Sequence, residues 1–373
     1  MDKAFLTGGT GFVGANLARL LVREGFEVRA LARAGSDRRN LRGLPVDILE
    51  GDLQDGAALE AGCRGCRYVF HVAADYRLWV RDPEPMYAAN VLGTAKALEA
   101  AGKAGAERIV HCSSVAAVKL REDIPADESS QYASTGEIVS HYKKSKWLSE
   151  RKALELAARG LPVVIVNPAA PIGPWDAKPT PTGRLVVDFL NGRMPSYVDT
   201  GLNVVHAADV AAGHLLAARK GRVGERYILG CENLTLKRYL DLLAELTGLR
   251  APRFETPYAL ALAFGALDTA RARLLGGEPL APLDAVRMAR HKMYFDSSKA
   301  VRELGLPQTP ARRALADAAR WFAENGYVKD RRTARQVLDR LGADEPQTGG
   351  GGRPCSSPAV AERITRGGGA LPA

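Results

Sequence analysis

A tyrosine and a lysine four positions apart, Tyr142 and Lys146, are the side chains of this sequence best suited to moving a proton. On a helix this spacing places both on one face. A free phenol has a pKa of about 10, which is too high for ready proton exchange at neutral pH. An ammonium close by, helped by a positively charged nicotinamide ring, favours the phenolate and lowers that barrier. The pair therefore predicts acid/base catalysis.

A hydroxyl donor would complete such a site by holding the carbonyl or alkoxide oxygen of a substrate. Ser113 and Ser114 stand at the exit of a predicted strand, about one helix before Tyr142. The spacing leaves open which of the two serves. A Tyr-x-x-x-Lys pattern alone occurs roughly once by chance in a chain of this size. Its position after a serine-bearing strand and a glycine-rich turn makes it specific.

The glycine-rich turn lies close to the start of the chain, between a predicted strand and a predicted helix. Its sequence, Thr7-Gly-Gly-Thr-Gly-Phe-Val-Gly14, has GxxGxxG spacing. A pyrophosphate at a helix N-terminus needs exposed backbone N–H groups and a closer approach than a Cβ allows. The turn therefore predicts dinucleotide binding by Gly8, Gly11, Phe12, Val13 and Gly14.

The residue after the second predicted strand distinguishes two dinucleotides. A carboxylate there binds the ribose hydroxyls of NAD, whereas a cation favours the 2′-phosphate of NADP. Arg33 occupies this position, so the sequence favours NADP(H) over NAD(H). After the third strand, we expect Asp52 to meet the adenine amino group and Leu53 to cover the ring.

Short apolar runs alternate with helical patterns through the first part of the chain, which is typical of βαβ units. Strands are predicted at residues 3–6, 28–32, 46–49, 68–72, 108–112 and 163–166. Helices are predicted at about 15–24, 85–102 and 142–159. The run 163–166 is apolar on both faces, as in strands that helices cover on each side. The predicted fold class is α/β, with a doubly wound parallel sheet of Rossmann type.

The pattern changes after Pro168, where prolines recur as far as Pro195. This stretch predicts a loop-built substrate region. A helix is expected to start at Thr235 as its N-cap, with further helices to about Tyr327. The organisation predicts a dinucleotide-binding domain over 1–170 with elements returning at about 200–230, and a smaller α-rich substrate region over 171–330. A basic stretch and a disordered tail are expected over 331–373.

Composition and charge exclude several other classes. The 373 residues are 46% hydrophobic and 25% charged, values of a globular protein. The net charge of +10 comes from dispersed arginines, which predicts no nucleic-acid partner. The five cysteines are too scattered for a disulfide framework, and the histidines have no metal-ligand spacing.

Two features bear on location. The chain begins without a signal-peptide pattern, so we expect a cytoplasmic protein. The longest apolar stretch, 258–267, is about half the length of a membrane-spanning helix. It predicts a helix packed in the substrate region and leaves an apolar entrance for a lipid substrate open. The basic stretch 329–335 leaves peripheral contact with acidic lipids open.

Taken together, the motifs resemble the extended short-chain dehydrogenase/reductase superfamily. The matching stretches are residues 7–14, 51–53, 71–74, 90–94, 112–114, 142–146 and 167–168. The resemblance implies a Rossmann domain followed by a smaller C-terminal substrate domain. It also implies that Tyr142 is the acid/base, that Lys146 anchors the ribose and tunes the tyrosine, and that Ser114 rather than Ser113 binds the substrate oxygen.

Further cofactor contacts follow from the same resemblance, at Ala73, Ala74, Asn90 and Pro168. Asn90 would also support the active-site helix and its proton-relay water. Dimerisation through a helix pair is common in this superfamily, which leaves a homodimer open.

A narrower likeness lies in the loops, at residues 74–79, 171–174, 178–183, 188–192, 197–203 and 226–230. These resemble the hopanoid-associated sugar epimerases, which are dihydroflavonol-reductase-like enzymes. The likeness implies a sugar or lipid-linked small-molecule substrate. Tyr76, Arg77 and Trp79, which follow the fourth strand, are the candidate substrate residues.

The sequence therefore leaves two enzymatic functions and one non-enzymatic function as hypotheses. The loop resemblance favours a sugar epimerase associated with hopanoid lipid biosynthesis, which would oxidise a carbinol and return the hydride to the opposite face. The alternative is a ketone reductase of dihydroflavonol-reductase type, which would consume NADPH. Both use Ser114, Tyr142 and Lys146. A non-catalytic dinucleotide sensor on the same fold is the alternative, although sensors commonly lose the tyrosine or the lysine.

Overall fold

The computed structural model describes residues 1–343. The strands are β1 (Lys3–Thr7), β2 (Glu27–Ala32), β3 (Val46–Glu50), β4 (Tyr68–His71), β5 (Arg108–Cys112), β6 (Val163–Pro168), β7 (Ala170–Ile172), β8 (Ser196–Tyr197), β9 (Gly201–His206), β10 (Arg226–Leu229), β11 (Glu232–Thr235), β12 (Phe254–Glu255) and β13 (Lys292–Met293). The helices are α1 (Phe12–Arg23), α2 (Gly56–Cys63), α3 (Glu84–Tyr87), α4 (Gly93–Lys103), α5 (His141–Ala158), α6 (Pro181–Leu190), α7 (Ala207–Lys220), α8 (Leu236–Thr247), α9 (Tyr258–Leu275), α10 (Leu283–Met288), α11 (Ser298–Leu304), α12 (Ala311–Glu324) and α13 (Arg331–Ala343).

Seven parallel strands form the main sheet, in the order β10-β6-β5-β4-β1-β2-β3. Alternate residues of each strand face opposite layers. Leu6, Phe70 and Val110 pack towards α1, α7 and α11, whereas Phe5 and Ile109 pack towards α2, α4 and α5. The predicted doubly wound α/β sheet of Rossmann type is therefore confirmed.

The second unit is a smaller layer packed on its own apolar core. A four-stranded sheet of β11, β9, β13 and β7 lies against α6, α8 and α12. The predicted N-cap of α8 is confirmed, because Thr235 Oγ1 accepts a hydrogen bond from the backbone N–H of Arg238 at 3.1 Å. The chain also returns to the main sheet, through α7 and β10, between α6 and α8 of the second unit.

The expectation of few regular elements after Pro168 is wrong at α6. This helix begins at Pro181, whose missing N–H costs nothing in the first turn. Thr180 caps it, with Oγ1 accepting from the backbone N–H of Gly183 at 3.2 Å. A proline that opens a helix and one that breaks it look alike in a proline-rich stretch.

Helical structure also continues beyond the predicted end near Tyr327. The basic stretch 329–335 leads into α13, which buries Val337 and Leu341 against the second unit. The predicted disordered tail lies, from residue 344 onward, outside the described residues. Among the described helices, none is long and apolar enough to cross a membrane.

The apolar stretch 258–267 does form a helix, α9, and this helix runs on to Leu275. The prediction that this helix packs within the substrate region is wrong for most of its surface, which is exposed. Only Gly265, Asp268, Thr269 and Ala272 of α9 are buried. The helix packs chiefly on α10, so most of its apolar side chains face outward.

Candidate active site

Tyr142 lies in the first turn of α5, at the carboxyl edge of the main sheet. Ser140 caps this helix, because its Oγ accepts a hydrogen bond from the backbone N–H of Lys143 at 3.2 Å. Ser114 follows β5, and its hydroxyl lies close enough to the half-buried Tyr142 phenol to lower the pKa of that phenol. The two meet because β5 ends and α5 begins at the same edge of the sheet. Burial raises the pKa of Tyr142, and the Ser114 hydroxyl opposes that rise.

Ser113, the alternative hydroxyl, has a different environment. It is buried, and its Oγ has no hydrogen-bond partner among the described residues. Its backbone N–H donates to Val166 of the neighbouring strand. Of the two serines, Ser114 is therefore the one whose hydroxyl acts on the Tyr142 phenol.

Lys146 is buried one turn after Tyr142, and its Nζ donates a hydrogen bond to the Cys112 carbonyl at 2.9 Å. Burial lowers the pKa of this ammonium. Lys146 is not among the groups that shift the pKa of Tyr142, which burial raises. The lowering of the phenol pKa by this lysine, which the sequence suggested with a bound nicotinamide, stays a prediction.

Asn90 lies in a π-helical turn, Ala88–Leu92, between α3 and α4. Such turns occur frequently at functional sites. Its Nδ2 donates to Ser145 Oγ at 2.9 Å, and Ser145 Oγ donates to the Tyr142 carbonyl at 2.8 Å. Its Oδ1 accepts from the backbone N–H of Asp75 at 2.7 Å. Asn90 thereby joins the loop after β4 to the first turn of α5.

Sequence reasoning missed a buried carboxylate that supports the serine. Glu150, one turn after Lys146, accepts from Asn167 Nδ2 at 2.6 Å, and the same Nδ2 donates to the Ser114 carbonyl at 3.0 Å. Arg226 of β10 forms an ion pair with Glu150 at 2.7 Å. The helical spacing from Lys146 to Glu150 was the only available signal, because its partners come from β6 and β10.

The glycine turn is shaped for an anion. Gly8 has φ +75°, and a Cβ there would lie 2.6 Å from the backbone nitrogen of Ala73. At Gly14 a Cβ would lie 2.1 Å from the Gly8 oxygen. At Gly11 it would meet only that same oxygen, at 3.3 Å. The fold therefore requires glycine at the outer two positions, whereas the absent Cβ at Gly11 leaves room for a ligand.

The N-terminus of α1 is open at this turn. Gly11 is its N-cap and provides no side-chain cap, and its first turn has no acidic residue. The backbone N–H groups of Phe12, Val13 and Gly14 have no acceptor within the helix. Together with the helix dipole they suit a pyrophosphate. The side chain of Phe12 itself is buried, so only its backbone is available.

The other predicted cofactor residues surround this turn. The backbone N–H of Ala73 donates to Thr7 Oγ1 at 3.2 Å, with Ala74 half-buried after it. Pro168 ends β6, next to β10 at the same edge of the sheet. Leu53 is half-buried beside Gly93. Asp52 is exposed, and its Oδ1 accepts from the backbone N–H of Gln54 at 2.9 Å.

Arg33 directly follows β2 and is exposed. The acids near it are paired with other cations, Asp37 with Arg39 at 2.6 Å and Glu50 with Arg38 at 2.8 Å. Arg33 itself has no ion pair among the described residues. A cation without a counter-charge at this point suits a 2′-phosphate.

The three candidate substrate residues differ in what they contact. Arg77 is paired with Asp75 at 2.5 Å and is turned outward. Tyr76 donates from its hydroxyl to the Lys178 carbonyl at 3.5 Å, which links the loop after β4 to the second unit. Trp79 lines a cavity of about 470 Å³ beside α9 and α10, and its buried Nε1 has no partner among the described residues.

An uncapped helix N-terminus after a glycine turn, beside a serine–tyrosine–lysine cluster at the carboxyl edge of a doubly wound sheet, defines a dinucleotide-dependent enzyme. The comparisons agree. Residues 4–230 match the model of the NAD dependent epimerase/dehydratase family. The chain belongs to this family, and it is an enzyme of the NAD(P)-dependent oxidoreductase/epimerase class.

Three curated relatives are similar over most of their length. A putative dihydroflavonol 4-reductase of Synechocystis is 49% identical over 88% of this chain and 96% of its own. Sterol demethylase protein B of Methylococcus capsulatus is 38% identical over 87% and 99%. A 4-hydroxy-2-methyl-3-oxo-4-farnesyl-3,4-dihydroquinoline-1-oxide ketoreductase of Stigmatella aurantiaca is 32% identical over 81% and 91%.

Solved structures show the same fold. The crystal structure of gox2253 has 44% identity and a TM-score of 0.79, covering 88% of this chain and 100% of that one. A nucleoside-diphosphate-sugar epimerase from Pseudomonas aeruginosa has 31% identity and a TM-score of 0.74, with 87% and 99% covered. The resemblance to dihydroflavonol-reductase-like members of the extended short-chain superfamily is thus confirmed.

Proposed function

We propose that this chain is an NADP(H)-dependent reductase that transfers a hydride at a ketone or secondary alcohol carbon. The observation that carries the proposal is the proximity of the Ser114 hydroxyl to the Tyr142 phenol, at the same edge of the sheet as the glycine turn. Two hydroxyl donors that converge at a sheet edge suit a carbonyl oxygen, because both stabilise the charge that develops on it.

In the reductive direction, Ser114 Oγ and Tyr142 Oη donate hydrogen bonds to the substrate carbonyl oxygen. A bound nicotinamide supplies the hydride to the carbonyl carbon. Tyr142 gives its phenolic proton to the oxygen, and its raised pKa keeps that proton in place until it is needed. The Lys146 ammonium, held by a neutral carbonyl rather than a carboxylate, stabilises the phenolate that remains.

The preference for NADP(H) rests on Arg33. Its guanidinium follows β2, and the neighbouring acids Asp37 and Glu50 are already paired with Arg39 and Arg38. An NAD-selective site needs a carboxylate free to accept from the ribose hydroxyls. The pairing of both acids with other arginines supports the phosphate-bearing cofactor.

A lipophilic ketone is the substrate class that the relatives favour. One relative is named for the reduction of a farnesyl-bearing compound and another for sterol demethylation. The cavity beside Trp79 agrees with this class, because Ala266, Ala270, Leu274 and Leu283 supply much of its lining. Ketones with polycyclic or isoprenoid carbon skeletons are therefore the first compounds to assay.

A sugar epimerase associated with hopanoid lipids is the second candidate. The loop resemblance favours it, and so does the likeness to the nucleoside-diphosphate-sugar epimerase structure. It would use the same serine, tyrosine and lysine but return the hydride to the substrate. A homodimer and a cytoplasmic location remain predictions that accompany either activity.

One assay distinguishes the candidates. The purified chain is incubated with NADPH or NADH and a panel of polycyclic, isoprenoid and nucleotide-sugar substrates, and both cofactor and product are quantified. We expect stoichiometric NADPH oxidation with a lipophilic ketone and a loss of about 100-fold or more in Tyr142→Phe. A product without net cofactor change would indicate the epimerase, and unchanged turnover in Tyr142→Phe would refute the site. Cofactor binding without turnover of any substrate would favour the sensor.

A further inference from the structure

Helix α9 presents a continuous apolar stripe to solvent. Its large residues are highly exposed: Leu260 63%, Phe264 53%, Leu267 73%, Leu274 84% and Leu275 80%. At about 100° per residue these five positions fall within an arc of about 100° on one side of the helix. The stripe extends along most of a helix about 27 Å long. Leu280, in the turn that follows, is 86% exposed.

The stripe is held outward by specific contacts on the opposite side. A Cβ at Gly265 would lie 2.9 Å from Val286 of α10, so the two helices approach closely. Thr269 Oγ1 accepts from the backbone N–H of Leu283 at 2.9 Å, and Asp268 accepts from that of Ala281 at 3.0 Å. The helix pair α9–α10 is therefore anchored with its leucines facing away from the protein.

The charges around the stripe are mainly positive. Asp268 is the only acid of α9, and its side chain is buried and paired with Arg271 at 2.8 Å. Arg271 and Arg273 of α9 are exposed, as are Arg287 and Arg290 next to it. No acidic side chain of α9 reaches solvent; Glu278 in the following turn is exposed, and Asp284 is paired with Arg287 at 3.5 Å. The surface therefore combines apolar residues with an excess of arginines.

A second copy of this chain is a poor occupant for such a surface. A two-fold contact would bury the same surface on both copies, so Arg271 and Arg273 would enter an interface in which α9 of the copy has no exposed acid to pair with them. An anionic bilayer satisfies both components, because leucine and phenylalanine enter the acyl boundary while arginine binds the headgroup phosphates. We propose that α9 and Leu280 dock this enzyme on an anionic membrane surface.

A cavity adjoins the docking surface, so that docking would bring the membrane next to a candidate substrate pocket. Leu274 belongs to the stripe and also lines the cavity of about 470 Å³ that Trp79 reaches from the loop after β4. Through Asp75 and Asn90 that loop is hydrogen-bonded to the helix of Tyr142. A membrane-borne substrate would thus meet an apolar pocket at the point of docking. This last step rests on the proposed function, whereas docking itself does not.

The test is co-sedimentation of the full chain with phosphatidylglycerol-containing vesicles and with pure phosphatidylcholine vesicles. We expect binding to the anionic vesicles that weakens with salt, and a loss of at least about tenfold in partitioning for Leu267→Glu/Leu274→Glu. Val223→Glu is the matched control, since Val223 is an exposed apolar residue on another surface. Arg273→Gln/Arg290→Gln should weaken binding and reduce its salt dependence.

Several outcomes would overturn docking through α9. These are no vesicle binding by the wild-type chain, equal binding by the leucine variant, or equal binding to both kinds of vesicle. If light scattering shows that the wild-type chain is a dimer and that only the leucine variant is a monomer, the stripe is a contact between subunits instead. Circular dichroism and the urea unfolding midpoint confirm that each variant is folded. Vesicle binding needs no turnover, so failure of the proposed reaction is distinguishable from failure of docking.

Discussion

Two opposing influences act on the Tyr142 phenol. Burial raises its pKa, and the Ser114 hydroxyl lowers it. A phenol whose pKa is raised stays protonated throughout the neutral range, which suits a proton donor in ketone reduction. In alcohol oxidation the same group must act as a base, so we expect that direction to become faster as the pH rises.

Ser114→Ala tests the serine against its neighbour. We expect kcat to fall by about 100-fold, since one donor to the developing oxyanion is lost. The alkaline fall of the reduction rate should also move to higher pH, because the hydroxyl that lowers the Tyr142 pKa is gone. Steady-state rates across the alkaline range measure both effects.

Ser113→Ala is the control for this experiment. Its Oγ has no partner among the described residues, so we expect kcat and the pH profile to change little. A larger loss of kcat in Ser113→Ala than in Ser114→Ala would show that Ser113, and not Ser114, binds the substrate oxygen.

Arg33→Ala tests the choice of dinucleotide. A charge-assisted hydrogen bond contributes about 1.5–3 kcal/mol, so we expect the KM for NADPH to rise about tenfold or more while that for NADH hardly changes. Arg39→Ala is the matched control, because Arg39 is already paired with Asp37 at 2.6 Å. Equal effects of Arg33→Ala on the two cofactors would remove the argument for NADPH.

At the scale of elements, α5 is tied to three other segments by buried polar contacts. Asn90 connects it to the loop after β4, and Glu150 connects it to β6 and β10 through Asn167 and Arg226. These contacts hold the turn that bears Tyr142 relative to the strand end that bears Ser114. The π-helical turn at Ala88–Leu92 contributes by carrying Asn90.

Glu150→Gln tests that connection. Glu150 and Arg226 are 2% and 8% exposed, so the substitution leaves a buried guanidinium without its counter-charge. We expect the free energy of unfolding to fall by about 3–5 kcal/mol, measured by urea denaturation. Glu60→Gln, which breaks the exposed pair with Lys103, should change it by less than about 1 kcal/mol. Similar losses in both variants would contradict the role of the buried pair.

At the scale of the whole molecule, the core encloses three neutral histidines. Burial lowers the pKa of His71 to about 3, that of His214 to about 4 and that of His111 well below its usual value. His71 and His111 stack with ring centroids 5.5 Å apart. His71 ends β4, and His111 lies at the neighbouring position of β5.

These histidines predict an acid-sensitive fold. Their pKa values are lower in the folded chain than in the unfolded chain, so below about pH 6.5 the unfolded chain binds more protons. Stability should therefore fall as the pH drops from about 6.5 towards the folded values, by about 1.4 kcal/mol per histidine and pH unit. Urea midpoints between neutral pH and about pH 5 measure the slope. His214→Gln should reduce it, whereas exposed His291→Gln should not.

Much of the fold could be predicted from the sequence because its signals are local. The periodicity of apolar residues located six of the seven strands of the main sheet and the helices α1, α4 and α5, and Thr235 identified the start of α8. The sequence predicts a loop at Pro181, because a proline is compatible both with a loop and with the first turn of a helix. The outward face of α9 was also missed, since apolar composition does not say on which side a neighbour packs.

For the site, the sequence by itself determined the residue types: the glycines of the first turn, Arg33 after β2, and the serine, tyrosine and lysine. Their chemistry depends on spacings of a few residues, which the chain carries directly. Only the tertiary structure showed that the Ser114 hydroxyl lies close to Tyr142, that Lys146 binds the Cys112 carbonyl, and that Glu150 meets Asn167 and Arg226. These contacts join segments far apart in the chain, and their geometry depends on the packing of strands and helices that no local pattern specifies.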